Sequence, residues 1–422
     1  MIDKAILGTI AKDQLNEFHR LKDTVERTLL KSIRSYSGSS AFIVKGIRRC
    51  GKSTLLKQIV KSKFTDNFYY FNFDDERLVA FKTADFQALM EVMLEIYGQK
   101  AAVFFDEIQN IEGWELFINR ILREGYQVFL TGSNATLLSK ELGTRLTGRH
   151  VDIELFPFSF TEFLKAKHLQ PQNTYYSTEE KAAMAKAFDE YLELGGMPEV
   201  VVFSNDAVLT HVLSDIVQKD IVNRYRIRDI RELRMIVNFL IANIANPITY
   251  RSLKDNFEFK SAYTVQKYVQ YLEETYVIFT VKRFDEKIKR LDKNPKKVYC
   301  IDNGLVTKNS PSIQDKKASL LENLTAVQLK RLGKEIFYFK SQSGQEADFI
   351  IPAENTAIQV CYQLTPANRE REIKGLLEAS NKLKNAKLLI ITRDQEDVIT
   401  VKGQTISIKP AWQWLIESEQ MT

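Results

Sequence analysis

The chain has 422 residues, of which 44% are hydrophobic and 27% are charged, and 60 basic against 54 acidic residues give it a net charge of +6. This composition excludes a disordered chain, and the length predicts several domains rather than one. No apolar run approaches the length that crosses a bilayer, and the N-terminus lacks a signal-peptide pattern, so we expect a cytoplasmic protein without a membrane partner.

A phosphate loop is the first motif along the chain. A predicted helix over residues 13–33 and a buried strand over residues 41–44 precede it. Residues 46–53 then read Gly-Ile-Arg-Arg-Cys-Gly-Lys-Ser, the GxxxxGK[ST] pattern, and a predicted helix follows. In such a loop, backbone N–H groups surround the phosphates, the lysine contacts the β- and γ-phosphates, and the serine binds Mg²⁺. The predicted nucleotide-binding residues are Gly46, Ile47, Arg48, Arg49, Cys50, Gly51, Lys52, Ser53 and Thr54.

Two carboxylates follow an apolar run over residues 101–105 and form a Walker B pattern. Asp106 would hold Mg²⁺ together with Ser53, and Glu107 would polarise the attacking water. Predicted strands at residues 68–73, 127–131 and 151–155 alternate with helices, which predicts a parallel sheet wrapped by helices. The sequence therefore predicts binding and hydrolysis of a nucleoside triphosphate with Mg²⁺.

Polar and basic residues after the strand over residues 127–131 resemble further parts of AAA-type ATPases. Asn134 and Ser133 are candidates for the polar side chain that those enzymes place near the γ-phosphate, although both could also cap the next helix. Arg149, and after it Arg145, are candidates for an arginine finger that reaches the nucleotide of a neighbouring subunit. A finger of this kind implies self-association, as in AAA-type rings, whereas the alternative is a solvated loop charge.

The middle of the chain reads as a helical lid followed by a winged helix. Residues 159–229 are mostly helical with a break at 195–198, and residues 235–284 follow the order of three helices and a strand. The third helix and the basic segment after the strand suit contacts with DNA, but winged helices also dock proteins. The predicted DNA-contacting residues are Tyr263, Lys267, Gln270, Lys282, Arg283, Lys287, Lys289 and Arg290.

Strands and helices alternate again from about residue 297, which predicts a further α/β domain. The predicted fold class is α/β, with a P-loop AAA-type ATPase core and three further parts. Their predicted bounds are 1–160 for the core, 161–230 for the helical lid, 231–292 for the winged-helix domain and 293–422 for a nuclease-like α/β domain.

Together these motifs resemble bacterial and archaeal AAA-type ATPases that carry a winged helix and a C-terminal restriction-endonuclease-like domain of unknown function. The first two motifs are general to many ATPases, and the later ones are more specific. Residues that carry the resemblance are 46–53, 104–109, 131–134, 146–149, 156–163, 195–198, 321–324 and 344–349.

The resemblance implies a metal site of clustered carboxylates in members whose nuclease signature is intact. Asp348 matches the strand acid, and Glu322 could be the helix acid. The Glu-x-Lys position, however, reads Gln359-Val360-Cys361, which lacks one carboxylate and the lysine. We therefore expect this domain to bind rather than to cut.

The predicted function is an ATP-hydrolysing, DNA-associated machine, with branched DNA as a target by analogy with related folds. The alternative is a nucleotide-controlled switch that docks proteins without contacting DNA. An ATP-gated nuclease is disfavoured by Gln359 and Cys361.

Overall fold

The chain forms two compact units in the computed structural model. Unit 1 comprises Met1–Phe156 with Glu274–Tyr276, and unit 2 comprises Pro157–Glu273 with Val277–Thr422. In the part of the chain that the structure describes, no helix is both long and apolar enough to cross a lipid bilayer. The described residues are 2–20, 25–34, 40–133, 149–170, 176–285, 294–310 and 317–420.

Unit 1 is built on a five-stranded parallel sheet. Its strands are β1 (Ala41–Lys45), β2 (Phe68–Asn72), β3 (Ala102–Asp106), β4 (Gln127–Gly132) and β5 (His150–Glu154). Their order in the sheet is β2-β3-β4-β1-β5. The apolar runs of β1 and β3 are buried along their whole length, as expected for strands covered on both faces. The predicted parallel sheet is confirmed.

The helices of unit 1 pack on this sheet through apolar stripes. The prediction of one leading helix over residues 13–33 was wrong, because the helix begins at Lys4 and ends at Arg20. Leu7, Ile10 and Phe18 lie on its buried face. The described helices of unit 1 are α1 (Lys4–Arg20), α2 (Leu30–Arg34), α3 (Lys52–Ile59), α4 (Phe86–Tyr97) and α5 (Trp114–Arg123).

Unit 2 contains a nine-stranded mixed sheet. Its strands are β6 (Pro247–Ile248), β7 (Ile278–Arg283), β8 (Lys296–Cys300), β9 (Phe337–Lys340), β10 (Glu346–Ile351), β11 (Thr356–Val360), β12 (Lys387–Thr392), β13 (Asp397–Val401) and β14 (Gln404–Pro410). Their order in the sheet is β13-β14-β12-β11-β10-β9-β7-β8-β6. The predicted boundary between residues 292 and 293 lies between β7 and β8, two strands that pair with each other, and β7 also pairs with β9. The division into lid, winged helix and nuclease-like domain stays a prediction.

The helices of unit 2 include the three that were predicted before β7. The described α-helices are α6 (Phe160–Ala166), α7 (Thr178–Leu194), α8 (Pro198–Phe203), α9 (Ala207–Asp215), α10 (Ile230–Ala242), α11 (Tyr250–Asn256), α12 (Ala262–Glu274), α13 (Asn303–Asn309), α14 (Lys317–Arg331), α15 (Arg369–Ser380) and α16 (Ala411–Gln420). The three predicted helices are α10, α11 and α12, and each lies close to its predicted position.

The break at residues 195–198 lies between α7 and α8 and is held by a buried carboxylate. Gly196 donates its N–H to Asp302 Oδ2 at 2.6 Å, and its carbonyl accepts from Phe158 N at 2.6 Å. A Cβ at Gly196 would collide with the Phe158 carbonyl, so glycine is needed here for close backbone approach. Burial raises the pKa of Asp302 to about 6. The break is therefore a packed junction.

Candidate nucleotide-binding site

The predicted phosphate loop lies between β1 and α3, at the carboxyl end of the sheet, as the motif requires. Gly51 adopts a left-handed backbone (φ 95°) just before α3, and Arg49 is also left-handed (φ 64°). A Cβ at Gly46 would collide with the Leu155 carbonyl, so the loop packs directly on the segment after β5. Such backbone constraints are typical of a preformed functional loop.

The side chains that end this loop converge on the Walker B acid. Ser53 Oγ donates to Asp106 Oδ2 at 2.6 Å, and the buried Lys52 donates to the carbonyls of Gly46 and Ile47, each at 3.2 Å. Mg²⁺ prefers hard oxygen ligands, and the Ser53 hydroxyl and the Asp106 carboxylate are such a pair at contact distance. These residues therefore fit the metal that a phosphate loop uses.

The second acid is positioned by its backbone and by a neighbouring amide. Glu107 has a left-handed backbone (φ 51°), and its carboxylate accepts a hydrogen bond from Gln109 Nε2. Lys52 Nζ lies 3.9 Å from Glu107 Oε1. The predicted pair of acids is thus brought together with the loop lysine.

Two further side chains, which the motif search missed, bind the same carboxylate. Thr131 on β4 donates its hydroxyl to Asp106 Oδ1 and accepts from Glu107 N at 3.0 Å, and Tyr70 on β2 donates to Asp106 Oδ2 at 3.2 Å. Burial, followed by the Glu107 charge, raises the pKa of Asp106, although the Ser53 and Thr131 hydroxyls oppose the shift. The parallel pairing of β2, β3 and β4 brings these groups together.

A buried arginine near the N-terminus also supports the loop. The Arg27 guanidinium donates to the Cys50 carbonyl at 2.8 Å and to the Phe156 carbonyl at 2.6 Å. Its backbone N–H donates to Gln58 Oε1 at 3.0 Å. Arg27 therefore joins the loop to α3 and to the chain after β5. Its long separation in sequence from these partners left no local pattern that could have predicted it.

The predicted sensor and finger residues are only partly described. Ser133 is buried directly after β4, and Arg149 is exposed just before β5, an edge strand of the sheet. Asn134 and Arg145 lie outside the described residues. Their roles, and those of Ser133 and Arg149, remain predictions.

In unit 2, three of the predicted DNA-contacting residues share one exposed face of α12. Tyr263, Lys267 and Gln270 are spaced at helical intervals, and Lys267 Nζ lies 4.7 Å from the centre of the Tyr263 ring. Lys282 and Arg283 lie on β7, where Arg283 donates to the Lys340 carbonyl and is only half-exposed. Lys287, Lys289 and Arg290 lie outside the described residues.

The residues predicted to form a nuclease-like metal site are largely shielded from solvent in unit 2. Glu322 on α14 and Asp348 on β10 come together, but both accept hydrogen bonds from Lys297 Nζ. Gln359 donates to Glu372 at 2.7 Å, and Cys361 Sγ lies 3.1 Å from the Gln363 carbonyl, to which its thiol donates. In the ranges that the structure describes, no group of three or more His, Cys, Asp or Glu side chains could hold a metal ion.

Comparison with known families agrees with the geometry of the phosphate loop. The profile of the AAA domain (AAA_14) matches residues 38–164, which contain the loop, β3 and β4. A domain of unknown function (DUF8612) matches residues 185–312. The fold, the loop and the Walker B acids together define an AAA-type P-loop domain that supports nucleotide binding.

Two curated proteins are similar over nearly the whole chain. The uncharacterized protein MJ1544 of Methanocaldococcus jannaschii is 37% identical over 391 residues, covering 88% of this chain and 87% of its own. An uncharacterized protein of Haemophilus influenzae is 30% identical over 392 residues, covering 89% and 94%. The chain therefore belongs to the same family as MJ1544, and its own fold and motifs are those of an AAA-type P-loop protein.

Similarity to solved structures is weak by comparison. AMPPCP-bound DnaA from Aquifex aeolicus has a TM-score of 0.28 and 15% identity, covering 58% of this chain and 85% of that one. The family assignment therefore depends on the motifs and on the curated relatives.

Replacing Asp106 with Asn is expected to stabilise the nucleotide-free protein. The Asn oxygen can accept from Thr131, and its NH₂ can donate to the Ser53 and Tyr70 hydroxyls. Because folding raises the pKa of Asp106, the folded protein favours the protonated acid. The stability of the wild type therefore falls as pH rises through the folded-state pKa of Asp106, whereas the neutral Asn does not titrate. Asp106→Asn should therefore raise Tm by about 2–4 °C at pH 8. Scanning calorimetry without nucleotide at pH 8 and pH 5.5 measures the difference, which should shrink at the lower pH.

The control for this experiment is Asp66→Asn, because Asp66 is exposed. Its Tm should match that of the wild type at both pH values. A lower Tm for Asp106→Asn at pH 8 would contradict the view that the Asp106 charge destabilises the folded nucleotide-free state.

Proposed function

We propose that this protein hydrolyses ATP with Mg²⁺ in unit 1 and contacts DNA through unit 2. The observation that carries the first part is the convergence of Lys52, Ser53, Asp106 and Glu107 on one end of the parallel sheet. The exposed face of α12 supports the second part. The alternative, a nucleotide-controlled switch that docks proteins, is distinguished by the experiments below.

Each side chain of the loop has a chemical task in this proposal. Lys52 exchanges the Gly46 and Ile47 carbonyls for phosphate oxygens, and α3 directs its first N–H groups at the same anion. Ser53 and Asp106 would hold Mg²⁺, which when bound adds positive charge beside the β- and γ-phosphates. Glu107 accepts the proton of the attacking water, while Gln109 sets the direction of its carboxylate.

Substitutions in the loop should separate nucleotide binding from hydrolysis. Lys52→Ala should lower phosphate release at least about 100-fold and weaken binding, because the charge that meets the phosphates is lost. Glu107→Gln should lower phosphate release by a similar factor but keep nucleotide binding. Steady-state phosphate release and binding of a fluorescent ATP analogue measure the two effects.

Lys57→Ala is the matched control, because Lys57 lies on the same helix but donates to the His19 carbonyl instead of facing the loop. It should retain wild-type hydrolysis. Absence of hydrolysis in the wild type, with binding intact, would reduce this proposal to nucleotide binding alone.

The exposed surface of α12 has the chemistry of a nucleic-acid contact. Tyr263 is 62% exposed, although a large aromatic ring gains by burial, and a neighbouring lysine covers one of its faces. An aromatic ring beside a cation suits a nucleic acid, since the ring can stack on a base or sugar while the ammonium meets a phosphate. The net charge of +6 is compatible with such a partner.

Lys267→Ala should weaken DNA binding uniformly across sequences and reduce the slope of log K against log salt by about 1. Tyr263→Ala should weaken binding without changing that slope. Fluorescence anisotropy with single-stranded, duplex and four-way-junction DNA at several salt concentrations measures both quantities. Lys374→Ala, an exposed lysine on α15, is the control and should bind as the wild type does.

The same DNA forms should be added to the hydrolysis assay at fixed low salt. Stimulation by one form would name the substrate and link the two units. Hydrolysis that depends on Lys52 but is indifferent to every DNA form, with no DNA binding, would favour the protein-docking switch.

The exposed Arg149 supports a proposal that hydrolysis depends on self-association. Arg149→Ala and Lys52→Ala proteins should each be inactive alone. A one-to-one mixture should regain about a quarter of the wild-type rate, because half of the subunits keep Lys52 and half of their neighbours supply Arg149. Phosphate release measured against the mixing ratio tests this, and no recovery on mixing would mean that the arginine does not act on a neighbour.

A further inference from the structure

Unit 2 contains a buried ion cluster of one lysine and two carboxylates. Lys297 on β8 donates from Nζ to Glu322 Oε1 at 2.8 Å and to Asp348 Oδ1 at 2.9 Å. The side chains of Lys297, Asp348 and Glu322 are 4%, 8% and 14% exposed. One ammonium therefore bridges two acids largely away from water.

Two further groups donate hydrogen bonds to Glu322 and Asp348. Tyr299 donates its hydroxyl to Glu322 Oε1 at 2.7 Å, and the Val360 N–H donates to Asp348 Oδ2 at 2.9 Å. Burial, and then the charges of Glu322 and Asp348, raise the pKa of the Tyr299 hydroxyl well above its usual value, so it remains a donor. Both oxygens of Asp348 are thus occupied by protein groups.

The electrostatics require a cation at this point. Burial, and then the Asp348 charge, raise the pKa of Glu322 to about 7. Burial alone would lower the pKa of Lys297, but the two carboxylates outweigh it and hold that pKa above its usual value. A buried ion pair that loses one partner is strongly destabilised, because the remaining charge is uncompensated.

A buried amide precedes the residue whose backbone N–H contacts Asp348. Gln359 precedes Val360 on β11, the strand that pairs with β10. It is 7% exposed, and its Oε1 has no hydrogen-bond partner among the described residues. The Gln359 amide donates to Glu372, and the cluster itself presents two carboxylates, which are ligands that a divalent cation accepts. The Lys297 ammonium occupies the position between the two carboxylates.

We propose that Lys297 is a built-in substitute for a divalent cation between Glu322 and Asp348. The ammonium neutralises both acids, so wild-type unit 2 takes up no Mg²⁺ or Mn²⁺ there and cleaves no phosphodiester with these residues. Removing this one amine leaves Glu322 and Asp348 as two uncompensated carboxylates that can take up a divalent cation.

The test is Mn²⁺ binding by the full chain without nucleotide, followed by the electron paramagnetic resonance signal of free Mn²⁺. Every protein carries Asp106→Asn, so that the phosphate loop lacks its own metal carboxylate. The parent should bind no stoichiometric Mn²⁺, whereas Lys297→Met should bind one Mn²⁺ per chain, with an affinity at least about 10-fold above that of any residual Mn²⁺ binding by the parent. Adding Asp348→Asn to Lys297→Met should abolish that binding. Lys297→Arg keeps the positive charge and should behave as the parent does.

Two results would overturn the proposal. One is Mn²⁺ binding, or plasmid cleavage in Mn²⁺, by the parent that is lost on Asp348→Asn. The other is a folded Lys297→Met protein that binds no more Mn²⁺ than the parent. None of these readouts uses ATP hydrolysis or DNA affinity, so the outcome is independent of the proposed function.

Lys297→Met could unfold because two buried charges lose their partner. The proposal then predicts that Mn²⁺ restores its circular dichroism spectrum, and that a neutral variant with Lys297→Met, Glu322→Gln and Asp348→Asn folds without metal. A neutral variant that folds, beside a Lys297→Met protein that Mn²⁺ fails to restore, would contradict a latent metal site.

Discussion

A carboxylate buried at the end of a central strand must be surrounded by donors, and Asp106 is the point at which unit 1 meets this constraint. Its oxygens accept from Ser53, Thr131 and Tyr70, which belong to the loop and to the strands on either side of β3. These donors leave the acid with a raised pKa, because they offset burial only in part. A site with that property is poised for an external cation, which would complete the compensation.

Unit 2 contains the same physical problem with a different solution. Glu322 and Asp348 are also carboxylates at buried positions, but a lysine on a neighbouring element supplies their positive charge internally. An internal ammonium makes the site independent of ion concentration and withdraws the carboxylates from chemistry. The chain thus contains one carboxylate site whose residues fit Mg²⁺ and another whose charges an internal lysine neutralises, which is compatible with the functions proposed above for the two units.

The sequence predicted those parts of the site that are local in the chain. The loop at residues 46–53 and the Asp106-Glu107 pair are consecutive residues next to apolar runs, so their spacing alone indicated the strand, turn and helix around them. Thr131, Tyr70 and Arg27 were missed, because their partners are distant in sequence and are brought near by strand pairing. Lys297 was missed for the same reason, and the absence of the Glu-x-Lys lysine at Cys361 gave no hint that a lysine on β8 lies beside the acids.

The junction at residues 195–198 constrains where unit 2 can change its conformation. Besides the bond from Gly196 to Asp302, Asn303 donates to the Leu192 carbonyl at 2.9 Å, and Tyr191 donates to the Phe158 carbonyl at 2.7 Å. The first two bonds tie the predicted lid to the chain where it passes from β8 to α13, and the third ties it to the segment before α6. Loss of these buried bonds would leave unpaired donors at a cost of about 1–3 kcal/mol each. A hinge inside this junction would break several of them at once. Conformational change in unit 2 is therefore expected at segments with fewer buried polar bonds, and the glycines of the break serve close packing rather than bending.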